Sequence, residues 1–204
     1  MGMSFFAIRQ GSLSFRLAAA ATILRDLALV SLIVFFLWRN REPIQRIGWT
    51  FANVWQDALL GALLFVPMLF GASALEQILK RAGFSAPATP MPRALAAGSP
   101  AEFLLAGVLV IVVAVTEEII FRGYLMLRFE ALTRNSLAAA FLSSFIFSLG
   151  HGYEGAAGVL TIGLMGLFFA LVYLSRRSLV APMVMHFLQD FTGIVLLPLL
   201  KHHT

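Results

Sequence analysis

Three small groups of polar residues lie inside otherwise apolar stretches of this chain. They are Glu117-Glu118 with Arg122, Phe147 with His151, and His186 with Asp190. An ionisable side chain in a membrane-spanning segment is unfavourable unless it is paired or faces water, and it commonly marks a functional site. Carboxylates and imidazoles are the groups that accept and donate protons during hydrolysis. The three groups therefore predict one catalytic site inside a membrane.

The spacing within the first group predicts different roles for its two glutamates. Glu118 and Arg122 are four residues apart, which is the spacing at which a helix favours an ion pair. Such a pair offsets much of the cost of burying both charges. Glu117 lies about 100° away around the same helix. We therefore interpret Glu118 and Arg122 as a structural pair and Glu117 as the general base.

The second and third groups show the same helical spacing. His186 and Asp190 are four residues apart, so both side chains can face one cavity. Phe147 precedes His151 by four residues and can pack beside its ring. Each group therefore presents its side chains on a single face of its helix.

Helix lengths predict how the groups are placed relative to one another. Glu117 lies about 17 residues before a turn predicted at 134–135, and His151 lies about 16 residues after it. At about 1.5 Å per residue, both stand about 25 Å from the turn of an antiparallel hairpin. His151 is therefore the expected neighbour of Glu117. His186 lies only about nine residues beyond the turn predicted at 176–177, so the simplest geometry places it lower.

Two mechanisms use these side chains, and the residues leave both open. In the first, Glu117 is the general base for a water molecule oriented with His151, while His186 and Asp190 stabilise the oxyanion. In the second, His151, His186 and a carboxylate bind a divalent metal such as zinc, which acidifies the water. Glu117 or Asp190 would supply that carboxylate. Both mechanisms hydrolyse an amide bond.

The composition predicts a membrane protein. Of the 204 residues, 60% are hydrophobic and 12% are charged, and the mean hydropathy is +0.89. About a quarter of the residues in a soluble domain are charged. The absence of cysteine excludes disulfides, a cysteine nucleophile and cysteine-bound zinc. The net charge of +5 comes from basic residues at the ends of apolar segments, which favours contact with the lipid bilayer over nucleic acid.

Six apolar segments, most of them close to the length of a bilayer span, predict an all-α polytopic membrane protein. Their approximate bounds are 17–38, 54–75, 102 to beyond 121, 136–150, 156–174 and 179–200. A loop rich in proline and alanine, from Lys80 to Pro100, separates an N-terminal two-span part (residues 1–100) from a four-helix catalytic core (residues 101–204). Together they form one membrane domain. The adjacent pair Arg25-Asp26 is interpreted as self-neutralising or interfacial, and Asp57 as part of an interfacial belt.

In its motifs the sequence resembles the CAAX protease and bacteriocin-processing family of intramembrane proteases, also called CPBP or Abi. The family pattern is EExxxR, then FxxxH, then HxxxN or HxxxD, on successive membrane helices. The matching residues are Glu117, Glu118 and Arg122, then Phe147 and His151, then His186 and Asp190. The resemblance covers about residues 102–200, and the ordered set of motifs is highly specific. The short six-span chain looks more like the compact prokaryotic members.

The resemblance implies an endopeptidase in a prokaryotic plasma membrane, acting on a membrane-associated peptide or protein that is lipidated or unmodified. It implies that Glu117 and His151 activate water and that His186 and Asp190 form the oxyanion site. The prenyl-protein members have asparagine where this chain has Asp190, and an ionised carboxylate accepts but does not donate hydrogen bonds. Asp190 would then be protonated, orient His186 or bind a metal. Zinc therefore stays an alternative, and no cofactor is assigned.

Two other functions compete with proteolysis. The first is a non-catalytic bacteriocin-immunity or membrane scaffold protein that binds a peptide in the same cavity. The second is a small transporter that uses Glu117 and the histidines as a proton relay. The chain lacks the repeated halves that are typical of transporters. Proteolysis is the function that the three groups favour.

Overall fold

The computed structural model describes residues 14–86 and 97–202, and the regular structure within these ranges is entirely helical. The helices are α1 (Phe15–Arg39), α2 (Val54–Arg81), α3 (Pro100–Thr133), α4 (Ser136–Leu149), α5 (Gly155–Arg176) and α6 (Val180–Asp190). Short 3₁₀ turns at Ile44–Ile47 and Gly152–Glu154 precede α2 and α5. α6 continues as a π-helical segment, Phe191–Leu196, and a last α-helical turn, Leu197–His202.

The lengths and surfaces of the helices fit a bilayer. Five helices in the described ranges are long and apolar enough to cross a membrane, namely α1, α2, α3, α5 and the α6 segment Val180–Leu200. α4 is shorter, with 14 residues. Large apolar side chains such as Leu24, Phe70 and Leu104 are 68–76% exposed, which suits contact with lipid. The chain is therefore an integral membrane protein, and the predicted all-α polytopic fold with about six spans is confirmed.

Local sequence signals define the hairpin between α3 and α4. Arg134 adopts a left-handed conformation (φ 54°) and ends α3. The Asn135 side chain then accepts hydrogen bonds from the backbone N–H groups of Leu137 and Ala138, which caps the start of α4. The predicted turn at 134–135 is confirmed. Because the connection is so short, α3 and α4 run antiparallel and bring the first two motif groups together.

α1 packs alongside α3, and the two helices run parallel. Near the start of α1, Ala19 lies in one apolar cluster with Ala106 and Val110 of α3. Towards its end, Ile33 lies in a second cluster with Ile119 of α3. The order of these contacts is the same along both chains. α1 therefore covers α3 from Ala106 to beyond the first motif group.

A partly buried ion pair connects α2 to α5. Asp57 accepts a hydrogen bond from Arg176 Nε at 2.7 Å, and Asp57 is only 3% exposed. This contact makes Asp57 a structural partner of α5. Gly61 of α2 approaches α6 closely, since a Cβ at Gly61 would lie 2.5 Å from the Ala181 carbonyl oxygen. α2 therefore forms one wall beside α5 and α6.

The connection between α1 and α2 is tied to α3 by charged side chains. Glu42 pairs with Arg128 Nη1 at 2.9 Å and with Arg46 Nη1 at 3.2 Å. The hydrogen bond with Arg128 lowers the pKa of the Glu42 carboxyl below its ordinary value. The Glu42 carboxylate therefore stays ionised at neutral pH and fixes this connection against α3.

The predicted loop from Lys80 to Pro100 is only partly described. α2 extends through Arg81, so the loop begins later than the composition indicated. At its start, the Ser85 hydroxyl and carbonyl accept hydrogen bonds from the backbone N–H groups of Ala156 and Ala157 on α5. Pro87, Pro90 and Pro92 lie outside the described residues. The division into parts 1–100 and 101–204 stays a prediction.

Candidate active site

The first motif group forms the ion pair that its spacing predicts. Arg122 Nη1 donates a hydrogen bond to Glu118 Oε1 at 2.7 Å, and both side chains are at most 1% exposed. Arg122 Nη2 also donates to the Gly166 carbonyl oxygen of α5 at 3.1 Å. α3 is π-helical over Ile119–Leu125, directly after Glu118. A π-helical turn re-aims side chains and is frequent at functional sites.

The guanidinium of Arg122 is also held between aromatic rings. Its Cζ lies 4.5 Å from the centroid of Phe147 and 5.1 Å from that of Phe169. These distances are within the range of cation–π attraction. Phe147, which the sequence predicted to support His151, therefore also supports the cation beside the first motif group.

Gly166 allows α5 to approach this cation. A Cβ at Gly166 would lie 3.1 Å from Arg122 Nη2 and 3.1 Å from Phe147 Cδ1. We predict that Gly166→Ala lowers the free energy of unfolding by about 1–3 kcal/mol, because the added methyl group overpacks this contact. Gly107→Ala is the matched control, since a Cβ at Gly107 meets no described atom within 4 Å. Denaturation in detergent measures both, and equal stability of the two variants would contradict the prediction.

His186 lies among three carboxyl groups and is 5% exposed. Its Nδ1 is 2.8 Å from Glu118 Oε1, so we assign the Nδ1 proton as the donor to this carboxylate. Its Nε2 is 3.5 Å from Asp190 Oδ2 and 4.0 Å from Glu117 Oε2. The Glu118 contact fixes the ring, and Nε2 consequently faces the other two carboxyl groups.

His151 follows the end of α4, where its ring is fixed by Phe147. The Phe147 carbonyl oxygen lies 3.1 Å from His151 Nδ1, so this nitrogen carries the donated proton. The two ring centroids are 4.9 Å apart. In the neutral ring, Nε2 then holds the lone pair and can accept a proton. This arrangement suits general acid–base chemistry.

A cavity of about 680 Å³ joins the second and third motif groups. Its polar lining includes His151, His186, Gln189 and Asp190, and its apolar lining comes from Phe147, from α2 and α5, and from the helical segments that follow α6. This volume is within the range that holds a small ligand or part of a peptide. As predicted, His186 and Asp190 face one cavity.

The position of Glu117 differs from the prediction. Glu117 is not among the residues that line the cavity, and its nearest described polar partner is His186 rather than His151. No hydrogen bond joins Glu117 to His151 in residues 14–86 and 97–202. The Glu117 side chain is nevertheless 11% exposed. Glu117 therefore lies beside His186, partly exposed, without lining the cavity.

The height of His186 also differs from the simplest geometry. Leu179, just before α6, lies beside Gly123, where a Cβ would be 3.6 Å from Leu179 Cδ1. The turn between α5 and α6 is therefore level with Gly123, well before the end of α3. His186 is seven residues after Leu179, and Glu118 is five residues before Gly123. In antiparallel helices these offsets bring His186 and Glu118 to nearly one height.

The placement of the histidine and carboxylate side chains bears on the zinc alternative. In the described ranges, no group of three histidine, aspartate or glutamate side chains is placed to hold a metal ion. His186 uses Nδ1 for Glu118, and its Nε2 lies 3.5 Å from Asp190 and 4.0 Å from Glu117. Zinc therefore stays a prediction, which metal analysis of the purified protein decides.

Sequence reasoning missed two features of the site. The first is the contact between Glu118 and His186, which links the first and third motif groups. The i,i+4 spacing suggested only the Arg122 partner of Glu118, because no local pattern reveals a contact 68 residues away. The second is Asp26 of α1, which is 1% exposed and interacts electrostatically with Glu117. The sequence does not show that Asp26 is buried, so its proximity to the site could not be predicted.

The three motif groups lie within one segment that matches a known family. A comparison with protein-family models matches residues 99–192 to the type II CAAX prenyl endopeptidase Rce1-like family. No curated protein and no solved structure gives a significant match. This match over residues 99–192 supports membership of the chain in the CPBP family of intramembrane proteases.

Proposed function

We propose that this protein is an intramembrane endopeptidase that hydrolyses a peptide bond in a membrane-associated substrate of the CAAX type or a similar membrane peptide. One observation carries the proposal. His186 is fixed by Glu118, and its Nε2 faces Glu117 and Asp190 at the wall of a cavity that also exposes His151. A base, a proton donor and a substrate-sized space thus meet within apolar helices.

The gap between Glu117 and His186 suits the attacking water. At 4.0 Å, Glu117 Oε2 and His186 Nε2 are too far apart for a direct hydrogen bond. One water molecule beside the gap can contact both atoms at about 2.8 Å. In this proposal Glu117 accepts a proton from that water as its oxygen attacks the carbonyl carbon of the scissile bond.

His186, Asp190 and His151 complete the proposed reaction. The oxyanion that forms on the carbonyl accepts a hydrogen bond from protonated Nε2 of His186. Asp190, at 3.5 Å from Nε2, orients and charges the ring rather than donating to the oxyanion. The C–N bond then breaks as the proton that Glu117 took from water passes to the leaving amine through Nε2 of His151, while the new carboxyl group keeps the water oxygen and releases its own proton to solvent.

A defined peptide in liposomes tests the proposal. We predict that the purified protein cleaves an internally quenched peptide ending in a prenylated cysteine and three further residues, and mass spectrometry locates the bond. The unprenylated peptide measures whether the lipid is required. We expect cleavage to persist after dialysis against EDTA. Zinc-dependent recovery of lost activity would instead support the metal mechanism, and absence of cleavage of both peptides would count against a CAAX-type substrate.

A further inference from the structure

Asp26 occupies an unusual position in the first helix. The buried residues of α1, which the structure describes in full, are Phe15, Ala19, Asp26, Ile33 and Leu37. The other four are apolar and pack in the stripe that covers α3. A carboxyl group in such a stripe is unfavourable without a compensating interaction. Its presence therefore needs a compensating interaction, which Arg25 of the same helix supplies to one of its oxygens.

The parallel packing of α1 and α3 places Asp26 at the level of the first motif group. Ala19 clusters with Ala106 and Val110, and Ile33 clusters with Ile119. Asp26 lies midway between Ala19 and Ile33, so it falls opposite the part of α3 just before Ile119. There the Asp26 carboxyl interacts with Thr116 and Glu117. Asp26 and His186 thus approach Glu117 from two different helices.

The bonding of the Asp26 carboxyl is incomplete. Arg25 Nε and Nη2 both approach Oδ1 at 2.7 Å. Oδ2 is buried and has no hydrogen-bond partner among the described residues. The pair is self-neutralising, as the sequence suggested, but the acid is buried against α3 rather than interfacial. A buried polar atom that lacks a partner needs an explanation, and a functional role is one of the established ones.

We propose that Asp26 is a positioning residue for Glu117. Its negative charge, held by Arg25, repels the Glu117 carboxylate from α1 and directs it towards His186 Nε2 and the attacking water. This inference rests on the proposed proteolytic function. It adds a contribution from α1, which lies outside the family-matched segment 99–192.

The charges around Glu117 determine the sign of the expected effect. Arg25 and Asp26 face it from α1, Glu118 adjoins it on α3, and His186 faces it from α6. A second negative charge near Glu117 favours proton capture by the Glu117 carboxylate. Removing the Asp26 charge takes this repulsion away, which favours the ionised form of Glu117. The base then ionises at lower pH and captures protons less readily.

The pH–rate profile of Asp26→Asn tests this inference. With the quenched peptide in liposomes, we expect the acid limb of kcat/KM to move down by about one pH unit. We expect kcat at neutral pH to fall by about three- to tenfold with KM unchanged, since base strength changes while peptide binding does not. Asp26→Glu retains the charge and should keep the limb at its wild-type position.

Asp57→Asn is the matched control. Asp57 is also a buried aspartate that pairs with an arginine at 2.7 Å, but its partner lies on α5. We expect this variant to lose stability while its acid limb stays in place. If the acid limb of kcat/KM in Asp26→Asn stays at its wild-type pH, the positioning role of Asp26 is wrong. If Asp26→Asn does not fold, Asp26→Ser is measured in the same way, and failure of both while Asp57→Asn folds would assign Asp26 a structural role only.

The Glu117→Gln variant separates this inference from the proposed function. If Glu117→Gln still cleaves the peptide, the proposed function fails and the role of Asp26 fails with it. If Glu117→Gln is inactive and Asp26→Asn keeps the wild-type limb, only the role of Asp26 fails. Loss of activity in Glu117→Gln together with a shifted limb in Asp26→Asn supports both.

Discussion

Glu117→Gln should lower the rate of peptide cleavage by about 10²–10⁴-fold, the range of a general base, with no large change in stability. The glutamine keeps the size and shape of the side chain but cannot accept a proton from water. Glu117 makes no hydrogen bond or close ion pair in the described ranges, and its nearest described charged partner is His186 at 4.0 Å. Little structural interaction is therefore lost. Initial rates with the quenched peptide in liposomes measure the effect.

Glu130→Gln is the control for that experiment. Glu130 lies on the same helix and contacts Ser136 and Arg177 near the turn at the end of α3. We expect Glu130→Gln to cleave the peptide at close to the wild-type rate. Undiminished cleavage by Glu117→Gln would remove Glu117 as the base. A cellular phenotype that survives in Glu117→Gln but is lost on substitution of apolar cavity residues would favour the non-catalytic scaffold alternative.

The second large effect is expected at the buried ion pair. Arg122→Gln should destabilise the protein by about 3–5 kcal/mol, because it leaves the Glu118 charge buried without its cation. Glu118 is 0% exposed and Arg122 is 1% exposed, so water cannot replace the lost partner. Denaturation in detergent measures the change in the free energy of unfolding.

The double variant Glu118→Gln with Arg122→Gln separates stability from activity. Removing both charges should recover much of the stability that Arg122→Gln loses. Activity should stay low, since His186 then lacks the carboxylate that fixes its Nδ1 at 2.8 Å. If the double variant recovered both stability and cleavage, Glu118 would have no positioning role. If it recovered neither, the cost would lie in packing against Phe147 and Phe169 rather than in charge.

The sequence predicted the parts of this site that depend on local spacing. The ion pair of Glu118 with Arg122 and the packing of Phe147 on His151 follow from the i,i+4 rule, and both occur. The shared cavity of His186 and Asp190 follows from the same spacing. The membrane fold follows from apolar segments whose lengths approximate the bilayer thickness.

The relations between distant helices were harder to predict. The predicted heights of the motif residues assume that the turns on one side of the membrane lie at equal depth. Leu179 instead lies beside Gly123, so α6 begins level with Gly123 rather than with the end of α3. That shift places His186 level with Glu118. His186 therefore contacts Glu118 and lies 4.0 Å from Glu117. The burial of Asp26 depends on which face of α1 meets α3, and an adjacent Arg–Asp pair carries no information about that face. Tertiary packing, rather than local propensity, determines both features.

Comparison of protein termini in membranes from cells that produce the wild type or Glu117→Gln tests the central claim most directly, because it requires no assumption about the substrate. Both proteins are expressed at equal levels, and mass spectrometry reads the N- and C-termini of membrane-associated proteins and peptides. Peptide-bond hydrolysis by Glu117-activated water predicts termini that are present with the wild type and missing with Glu117→Gln. Identical sets of termini, with both proteins folded in the membrane, would contradict it.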